Sequence, residues 1–307
     1  MTAQPKVRIG VDFGGTKIEA AVLDGDGRFL SRVRAPNPGG YEAAIQTVAE
    51  LVTRAEQQAG VVTDRVGIGH PGSISPVISL IRNANSVWLN GQPFGADLEK
   101  ALGRAVRLSN DANCLAASEG TDGAAARTDT AFCAILGTGC GGGVISGGRM
   151  IDGQNGIAGE WGHTPLPWPT AEEYPGPQCW CGRRSCLEMW ISGTGLERDY
   201  RQQRGGSAMT AQAIVDAAHT GAAQEAKALD LYIDRLARAL ACVCDLIDPQ
   251  VIVLGGGMSN TKALYERLPD LVGHYAFTDR FTTPIRPAKH GDSSGVRGAA
   301  WLWPVHG

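Results

Sequence analysis

Apolar residues in the first third of the chain alternate between short continuous runs and a longer stretch with helical spacing. The runs Val7–Val11 and Ile18–Leu23 predict two strands, and Arg65–Gly69 predicts a third. Between them, Tyr41–Gln58 carries apolar residues three and four positions apart, which indicates an amphipathic helix. Strands that alternate with helices are typical of an α/β protein with a mainly parallel sheet.

The same pattern returns in the rest of the chain. Ala131–Leu136 and Gly143–Ile145 predict a second pair of strands, and Val251–Leu254 predicts another. An apolar stripe between Leu229 and Ile247 indicates a long buried helix, and Ser294–Trp303 indicates a closing helix. The repeated order of strand, turn and strand predicts two similar α/β halves with a cleft between them.

Three glycine-rich turns follow three of these strands, at Asp12–Lys17, Gly137–Gly143 and Gly255–Gly257. Glycine has no Cβ, so its backbone N–H groups can approach a bound anion closely. Because 42 of the 307 residues are glycine, the turns could also merely connect the elements. The polar side chains of Thr16 and Lys17 in the first turn favour a nucleotide held between two lobes.

Composition limits the classes of function. A chain of 307 residues is long enough for two domains with substantial cores. The net charge of −3 gives no electrostatic reason to expect nucleic acid or an anionic membrane as a partner. We expect neither a signal peptide nor a membrane span, and hence a cytoplasmic protein. Its eight cysteines are then expected to be thiols or metal ligands rather than disulfides.

Residues 146–195 are rich in Gly, Pro, Trp and Cys and show no sustained periodicity. Cys179, Cys181 and Cys186 supply three thiolates within eight residues, and His163 lies upstream. One histidine and three cysteines form a closed tetrahedral set of the structural zinc type. The alternative is three unligated thiols in a loop. The remaining cysteines are predicted to be packed thiols: Cys114, Cys133, Cys140, Cys242 and Cys244.

Several polar residues lie near these motifs, and each allows both a functional and a purely structural interpretation. Asp111 follows Asn110 where a strand meets a helix, so it is either a catalytic residue facing a cleft or an N-cap. Glu160 and Glu188 flank the cysteine segment and are either contacts for the hydroxyls of a polyol or solvated charges. Asn85 offers an amide group or is an ordinary turn residue.

Taken together, these motifs resemble the ROK family of sugar kinases and repressors, within the actin–hexokinase superfamily. The resemblance spans nearly the whole chain. Asn83–Phe94 and Ala288–Gly295 are most similar to bacterial fructokinases of the manno(fructo)kinase type. One position departs from the family, because Ser185 stands where a glycine usually precedes the last cysteine. The motifs are Asp12-x-Gly14-Gly15-Thr16-Lys17, Asn110-Asp111-Ala112-Asn113, Gly137-Thr138-Gly139, Glu160-x-x-His163 and Cys179-x-Cys181-Gly182-x-x-x-Cys186-x-Glu188.

The resemblance implies a two-domain α/β fold with duplicated βαβ-type lobes and an interdomain cleft. A smaller lobe would comprise residues 1–122 and 295–307, and a larger lobe residues 123–294. Asp111 would be the catalytic base, and Asp12 would help to hold Mg²⁺. The implied sugar contacts are Gly72, Asn85, Asn110, Asp111, Glu160, His163 and Glu188. The implied nucleotide contacts are Asp12, Gly14, Gly15, Thr16, Lys17, Gly137, Thr138, Gly139, Gly256 and Gly257. His163, Cys179, Cys181 and Cys186 would bind structural zinc.

The expected activity is ATP-dependent phosphorylation of a hexose, with D-fructose as substrate and fructose 6-phosphate as product. The alternatives within the family are kinases of glucose, mannose or N-acetylglucosamine. A repressor of this family carries a helix-turn-helix ahead of its first glycine turn, and with six residues before Val7 we do not expect one here. A zinc-knuckle nucleic-acid module is disfavoured because no dense basic and aromatic stretch surrounds the cysteines. A homodimer is expected.

Overall fold

The fold is that of a computed structural model, which describes residues 7–203 and 208–303. The strands within these residues are β1 Arg8–Phe13, β2 Lys17–Leu23, β3 Phe29–Pro36, β4 Arg65–His70, β5 Ser73–Ile74, β6 Ile81–Arg82, β7 Ala105–Asn110, β8 Thr130–Leu136, β9 Cys140–Ser146, β10 Arg149–Ile151, β11 Val251–Gly255 and β12 Ile285–Pro287. The α-helices are α1 Tyr41–Ala59, α2 Phe94–Leu102, α3 Asp111–Asp122, α4 Glu188–Ile191, α5 Gly193–Gln203, α6 Ala211–His219, α7 Ala223–Ile247, α8 Lys262–Tyr275 and α9 Ser294–Trp301.

The chain divides into two compact units. Unit 1 comprises Met1–Ala126, Met150–Ala158 and Asp292–Gly307, and unit 2 comprises Arg127–Arg149 and Gly159–Gly291. The short middle segment of unit 1 is held there by side chains. The Nδ2 atom of Asn113 donates to Oδ1 of Asp152 at 3.1 Å, and the Arg82 guanidinium donates to the Asn155 carbonyl at 2.8 Å. Residues 123–126, 150–158 and 292–294 group with unit 1 here, whereas the lobe bounds implied by the resemblance place them in the larger lobe.

Unit 1 is built on a five-stranded sheet in the order β3-β2-β1-β4-β7. The hairpin predicted around the first glycine turn is present as the antiparallel pair β1–β2, while β1–β4 and β4–β7 are parallel. Helix α9 lies very close to the sheet, because a Cβ on Gly10 would be only 2.2 Å from the Val296 carbonyl oxygen. On the apolar core side, α1 buries Val48 and Leu51.

Unit 2 repeats this plan with the strand order β10-β9-β8-β11-β12. Strands β8 and β9 form an antiparallel hairpin around the second glycine turn, and β8–β11 and β11–β12 are parallel. The predicted long helix is α7, whose stripe of Leu229, Ile233, Leu236 and Leu240 is buried in the core. The repeat predicted from the glycine turns is therefore present as two sheets with equivalent hairpins.

Some elements differ from the sequence prediction. The closing helix ends at Trp301 rather than at Trp303. Cys114, Cys133, Cys140 and Cys244 are buried as predicted, but Cys242 is only partly buried. The reason is helical geometry, since residues two positions apart face different directions. Within residues 7–203 and 208–303, no helix combines the length and the apolar character needed to cross a bilayer.

Candidate active site and metal centre

The first glycine turn is a tight reversal between β1 and β2 in unit 1. The Gly14 N–H donates to the Lys17 carbonyl at 3.0 Å, and Nδ2 of Asn37 donates to the Gly14 carbonyl at 2.8 Å. Gly15, Thr16 and Lys17 are exposed at the tip. The turn therefore presents a lysine and a hydroxyl from a braced backbone, an arrangement suited to an anionic ligand.

Asp12 is the second-last residue of β1 and lies beside the start of α9. A Cβ on Gly295 would lie 2.8 Å from Oδ2 of Asp12, so the glycine permits this close approach. Burial, together with the nearby carboxylates of Asp111 and Glu19, raises the pKa of Asp12 to about 6. Two carboxylates in one unit fit a hydrated divalent cation, which would favour their ionised forms.

The strand-to-helix junction shows which residue caps α3. Asn110 is the N-cap of α3, because its Oδ1 accepts from the Asn113 N–H at 2.7 Å. Asp111 is the first residue of the helix, is exposed, and accepts from the neighbouring Ala112 N–H through Oδ1 at 2.8 Å. Capping is thus the task of Asn110, and the catalytic role of Asp111 stays a prediction.

Two further residues of unit 1 position the loop that carries Asn85. Gly72 has a φ of +78°, and a Cβ there would be 2.6 Å from the Arg82 carbonyl oxygen. The preceding His70 is fully buried, and its Nδ1 donates to the Pro71 carbonyl at 2.9 Å. Burial lowers the pKa of His70 to about 4, so the ring is neutral at pH 7. Sequence reasoning missed His70, whose only signal is its place before the Pro-Gly turn.

The second and third glycine turns meet in unit 2. Gly256 has a φ of +80°, and a Cβ there would be 2.6 Å from the Leu136 carbonyl oxygen at the end of β8. The start of α5 braces the second turn, because the Gly193 N–H donates to the Gly137 carbonyl at 2.7 Å and the Thr194 hydroxyl donates to the Thr138 carbonyl at 2.7 Å. The structure thus brings together the predicted nucleotide residues of this unit.

The Glu160–His163 turn packs directly on β9. A Cβ on Gly162 would lie 1.9 Å from the Cys140 carbonyl oxygen, so only glycine fits at that contact. Indole Nε1 of the buried Trp161 donates to the Gly141 carbonyl at 2.8 Å. Glu160 and His163, both partly buried, are therefore fixed next to the second glycine turn.

The four predicted metal ligands form one cluster. The ligand atoms of His163, Cys179, Cys181 and Cys186 all lie within 4.8 Å of one another. The Cys181 and Cys186 sulfurs are 3.6 Å apart, and the Cys179 sulfur is 3.8 Å from Nδ1 of His163. Tetrahedral zinc with Zn–S bonds of about 2.3 Å requires sulfurs about 3.8 Å apart. The cluster fits that ion, and Nδ1 is the histidine atom that would bind it.

Glu188 connects the metal cluster with the second glycine turn. Its Oε2 accepts from the Cys140 N–H at 3.1 Å, and a Cβ on Gly139 would lie 2.8 Å from the same oxygen. Its Oε1 accepts from indole Nε1 of Trp180 at 2.7 Å. Glu188, which is predicted to bind sugar, therefore contacts the backbone of the second glycine turn as well as the cysteine loop.

Ser185 adopts a backbone conformation that suits the glycine expected at this position from the resemblance. The φ of Ser185 is +59°, in the left-handed region where a side chain is disfavoured. Its hydroxyl accepts from indole Nε1 of Trp190 at 3.1 Å. The serine thus gains a hydrogen bond in a conformation that glycine adopts more readily, and the metal ligands remain together.

A buried ion-pair cluster anchors the cysteine segment a second time. Glu173 accepts from Nε of Arg235 at 2.7 Å and from the Arg238 guanidinium at 2.8 and 3.0 Å. Arg238 also donates to the carbonyls of Pro167 and Trp168, at 3.0 and 2.8 Å. Burial alone would raise the pKa of Glu173, but the two arginines lower it to about 2. The proline-rich stretch is thus fastened to α7 independently of the cysteines.

We expect Glu173→Gln to lower the free energy of unfolding by about 3 kcal/mol at pH 7, because it leaves two buried arginines without their shared carboxylate. A carboxylate whose folded pKa is lowered stabilises the fold above its unfolded pKa of about 4.3, and this stabilisation is lost as the pH falls towards 2. Urea unfolding at pH 7 and pH 3 measures both effects.

The exposed neighbour Glu172 provides the control for this experiment. Glu172→Gln should leave the unfolding free energy nearly unchanged at both pH values. If Glu173→Gln and Glu172→Gln behave alike, the ion-pair cluster does not anchor the segment.

Known proteins that are similar to this chain bear on the choice of sugar. An N-acetyl-D-glucosamine kinase from Pasteurella multocida is 39% identical over 304 residues, which cover 97% of this chain and 99% of the relative. The kinase of the same name from Haemophilus influenzae is 39% identical over 303 residues, covering 96% and 98%. These relatives do not support the expected similarity to fructokinases, and they fit the N-acetylglucosamine alternative.

Solved structures agree with the fold. A ROK hexokinase from Thermus thermophilus matches with a TM-score of 0.85 and 34% identity over 96% of this chain and 97% of its own. A ROK family glucokinase from Streptomyces griseus, in complex with glucose and AMPPNP, matches with a TM-score of 0.81 and 28% identity over 96% and 98%. The predicted α/β fold of the actin–hexokinase type is confirmed. Since the sequence model of the family also matches residues 8–306, the chain belongs to the ROK family.

Proposed function

We propose that this protein is an ATP-dependent sugar kinase that phosphorylates N-acetylglucosamine. The structural observation that carries the kinase assignment is the exposed Asp111 carboxylate, which is not the cap of its helix and which shares unit 1 with Asp12 and the first glycine turn. The names of the relatives from Pasteurella multocida and Haemophilus influenzae support the choice of sugar. D-Fructose, the substrate expected from the sequence, becomes the alternative.

Phosphoryl transfer depends on positioning and charge neutralisation more than on covalent help from the protein. In this proposal, Asp111 accepts the proton of the attacking sugar hydroxyl. Lys17 and the backbone of the glycine turns neutralise the phosphates of ATP. Asp12 would hold hydrated Mg²⁺, which supplies positive charge to the phosphate oxygens when it is bound.

We assign Glu160, His163 and Glu188 of unit 2 to sugar hydroxyls, and the side-chain amides of Asn85 and Asn110 in unit 1 are assigned to the sugar as well. His163 has two functions in this scheme, because Nδ1 is the atom at the metal cluster and Nε2 is left to carry the ring proton. With a metal on Nδ1, Nε2 of His163 would be fixed as a donor towards a sugar hydroxyl. Zinc at this cluster, ATP and Mg²⁺ are all parts of the proposal, and the homodimer expected from the sequence stays a prediction.

A coupled assay with ATP across N-acetylglucosamine, glucose, mannose and fructose tests the function. We expect kcat/KM to be largest for N-acetylglucosamine. A preference for fructose would reinstate the fructokinase assignment. The absence of phosphorylation with every sugar, in protein that contains zinc, would contradict the kinase proposal itself.

We expect Lys17→Ala to raise the KM for ATP by about tenfold and to change the KM for sugar much less. Lys17 lies in the first glycine turn, and a charge-assisted hydrogen bond to a phosphate contributes about 1.5–3 kcal/mol. Steady-state kinetics with each substrate varied in turn measures the difference. Lys100→Ala, an exposed lysine in the last turn of α2, is the control and should change neither KM. An equal or larger effect on the sugar side would contradict this role.

A further inference from the structure

Trp180 stands between two of the metal ligands and is 57% exposed, although tryptophan is usually well buried. Its indole has two specific contacts within unit 2. Nε1 donates to Oε1 of Glu188 at 2.7 Å, and the ring packs edge-on against His163, with ring centroids 4.9 Å apart at 87°. One exposed side chain thus touches two of the residues proposed to hold the sugar.

The contact with Glu188 limits where that carboxylate can lie. Oε1 accepts from Trp180, while Oε2 accepts from the Cys140 N–H. Two donors from different segments fix both oxygens, so the carboxylate plane cannot rotate without losing one hydrogen bond. The indole N–H is the only one of the two donors that a substitution can remove, because the other belongs to the backbone.

The position of the indole depends on the cysteine loop. Cys179 and Cys181 flank Trp180, and the loop is closed by the hydrogen bond from the Cys179 N–H to the Arg183 carbonyl at 2.8 Å. The backbone from which the indole extends therefore has a fixed position relative to His163. This arrangement connects the metal cluster to a carboxylate that contributes no ligand to it.

We propose that Trp180 is a positioning residue for sugar binding, which holds the Glu188 carboxylate in the orientation that binds sugar hydroxyls. This inference rests on the proposed function, since it assigns Glu188 to the sugar. The indole N–H acts on the sugar through Glu188, and the ring edge maintains the plane of His163. The metal cluster thereby acts on a second sugar residue in addition to its own histidine ligand.

The test is Trp180→Phe, which keeps an aromatic ring against His163 and removes only the N–H donor. We expect the KM and the Kd for the sugar to rise roughly three- to tenfold, since an exposed hydrogen bond to a charged group lies at the low end of its range. The KM for ATP and the zinc content should stay unchanged. Trp168→Phe is the matched control, because Trp168 lies in the same segment with similar exposure (53%) and stacks on Tyr275 instead.

A double-mutant cycle separates this role from a structural one. If Trp180 acts through Glu188, Trp180→Phe should have little further effect on sugar affinity in a Glu188→Gln background. Additive effects would overturn the proposal. It would also be overturned by unchanged sugar affinity in Trp180→Phe, by equal losses for sugar and ATP, or by loss of zinc.

A readout that needs no substrate distinguishes failure of the Trp180 proposal from failure of the proposed function. In a ¹⁵N–¹H spectrum of the zinc-loaded protein, the Trp180 indole signal is the one missing from Trp180→Phe, and Glu188→Gln should shift it. A shift without any sugar phosphorylation would leave the contact established and remove the kinase assignment. The absence of a shift in an active kinase would overturn the role of Trp180 alone.

Discussion

Replacing Asp111 by asparagine is expected to lower kcat by about 10²–10⁴-fold, the usual contribution of a general base. Asparagine cannot accept the proton of the attacking hydroxyl, although its Oδ1 can still accept from the Ala112 N–H as Asp111 does at 2.8 Å. Helix α3 keeps its cap on Asn110. The variant should therefore fold normally, and the loss should be in turnover. Steady-state kinetics and thermal unfolding measure the two effects.

The control for this variant is Asp64→Asn. The Asp64 side chain is 87% exposed and lies next to the start of β4, whereas Asp111 follows the opposite, carboxyl end of the parallel strand β7. Asp64→Asn should leave both kcat and stability unchanged. If kcat of Asp111→Asn stays within a few-fold of the wild type, the base lies elsewhere and Asp111 has a structural role.

Removal of the metal is expected to weaken sugar binding by about ten- to a hundredfold. His163 would lose the constraint that fixes its ring proton, and Glu188 would lose the donor carried by the cysteine loop. Each oriented hydrogen bond to a charged group contributes about 1.5–3 kcal/mol. A smaller loss of nucleotide affinity is expected as well, because Glu188 also accepts from the Cys140 N–H beside the second glycine turn.

Chelation followed by separate titrations of sugar and a non-hydrolysable ATP analogue measures this difference. Elemental analysis should find about one zinc per chain in the wild type and none in Cys179→Ser/Cys181→Ser. Cys242→Ser, at a partly buried cysteine outside the cluster, should retain the metal. Equal weakening of sugar and nucleotide would show that zinc only maintains the fold. If elemental analysis finds no zinc in the wild-type protein, zinc has no role in the proposed mechanism.

The parts of the fold that could be predicted are those with a strong local signal. Uninterrupted apolar runs gave the strands of both hairpins, and the cysteine spacing gave the four residues of the metal cluster. Strand β3 has a weak signal because Phe29 and Leu30 are exposed, while Ser31 is buried and donates to the Ala55 carbonyl. Its apolar pattern therefore does not alternate as a strand with one buried face does.

The features that sequence reasoning missed depend on contacts between distant segments. Arg235 and Arg238 lie on the long apolar helix, where charged residues normally face solvent, and their buried state follows from Glu173, which is more than sixty residues away. Asn110 and Asp111 are equally good caps by residue type, and only the backbone geometry shows which one accepts the hydrogen bond. Contacts between distant residues leave no periodic pattern in the sequence from which they could be predicted.

The two hydrogen bonds of Glu188 have a consequence for evolution and for engineering. A mutation that adapts this carboxylate to a different sugar also alters a bond to the backbone of the second glycine turn. The loop around Asn85 is a separate target, because its local shape is set by the Asn90 side chain, which accepts from the Ala84 N–H and donates to the Ala84 carbonyl. Libraries that aim to broaden the accepted sugars should therefore vary that loop first and leave Glu188 fixed.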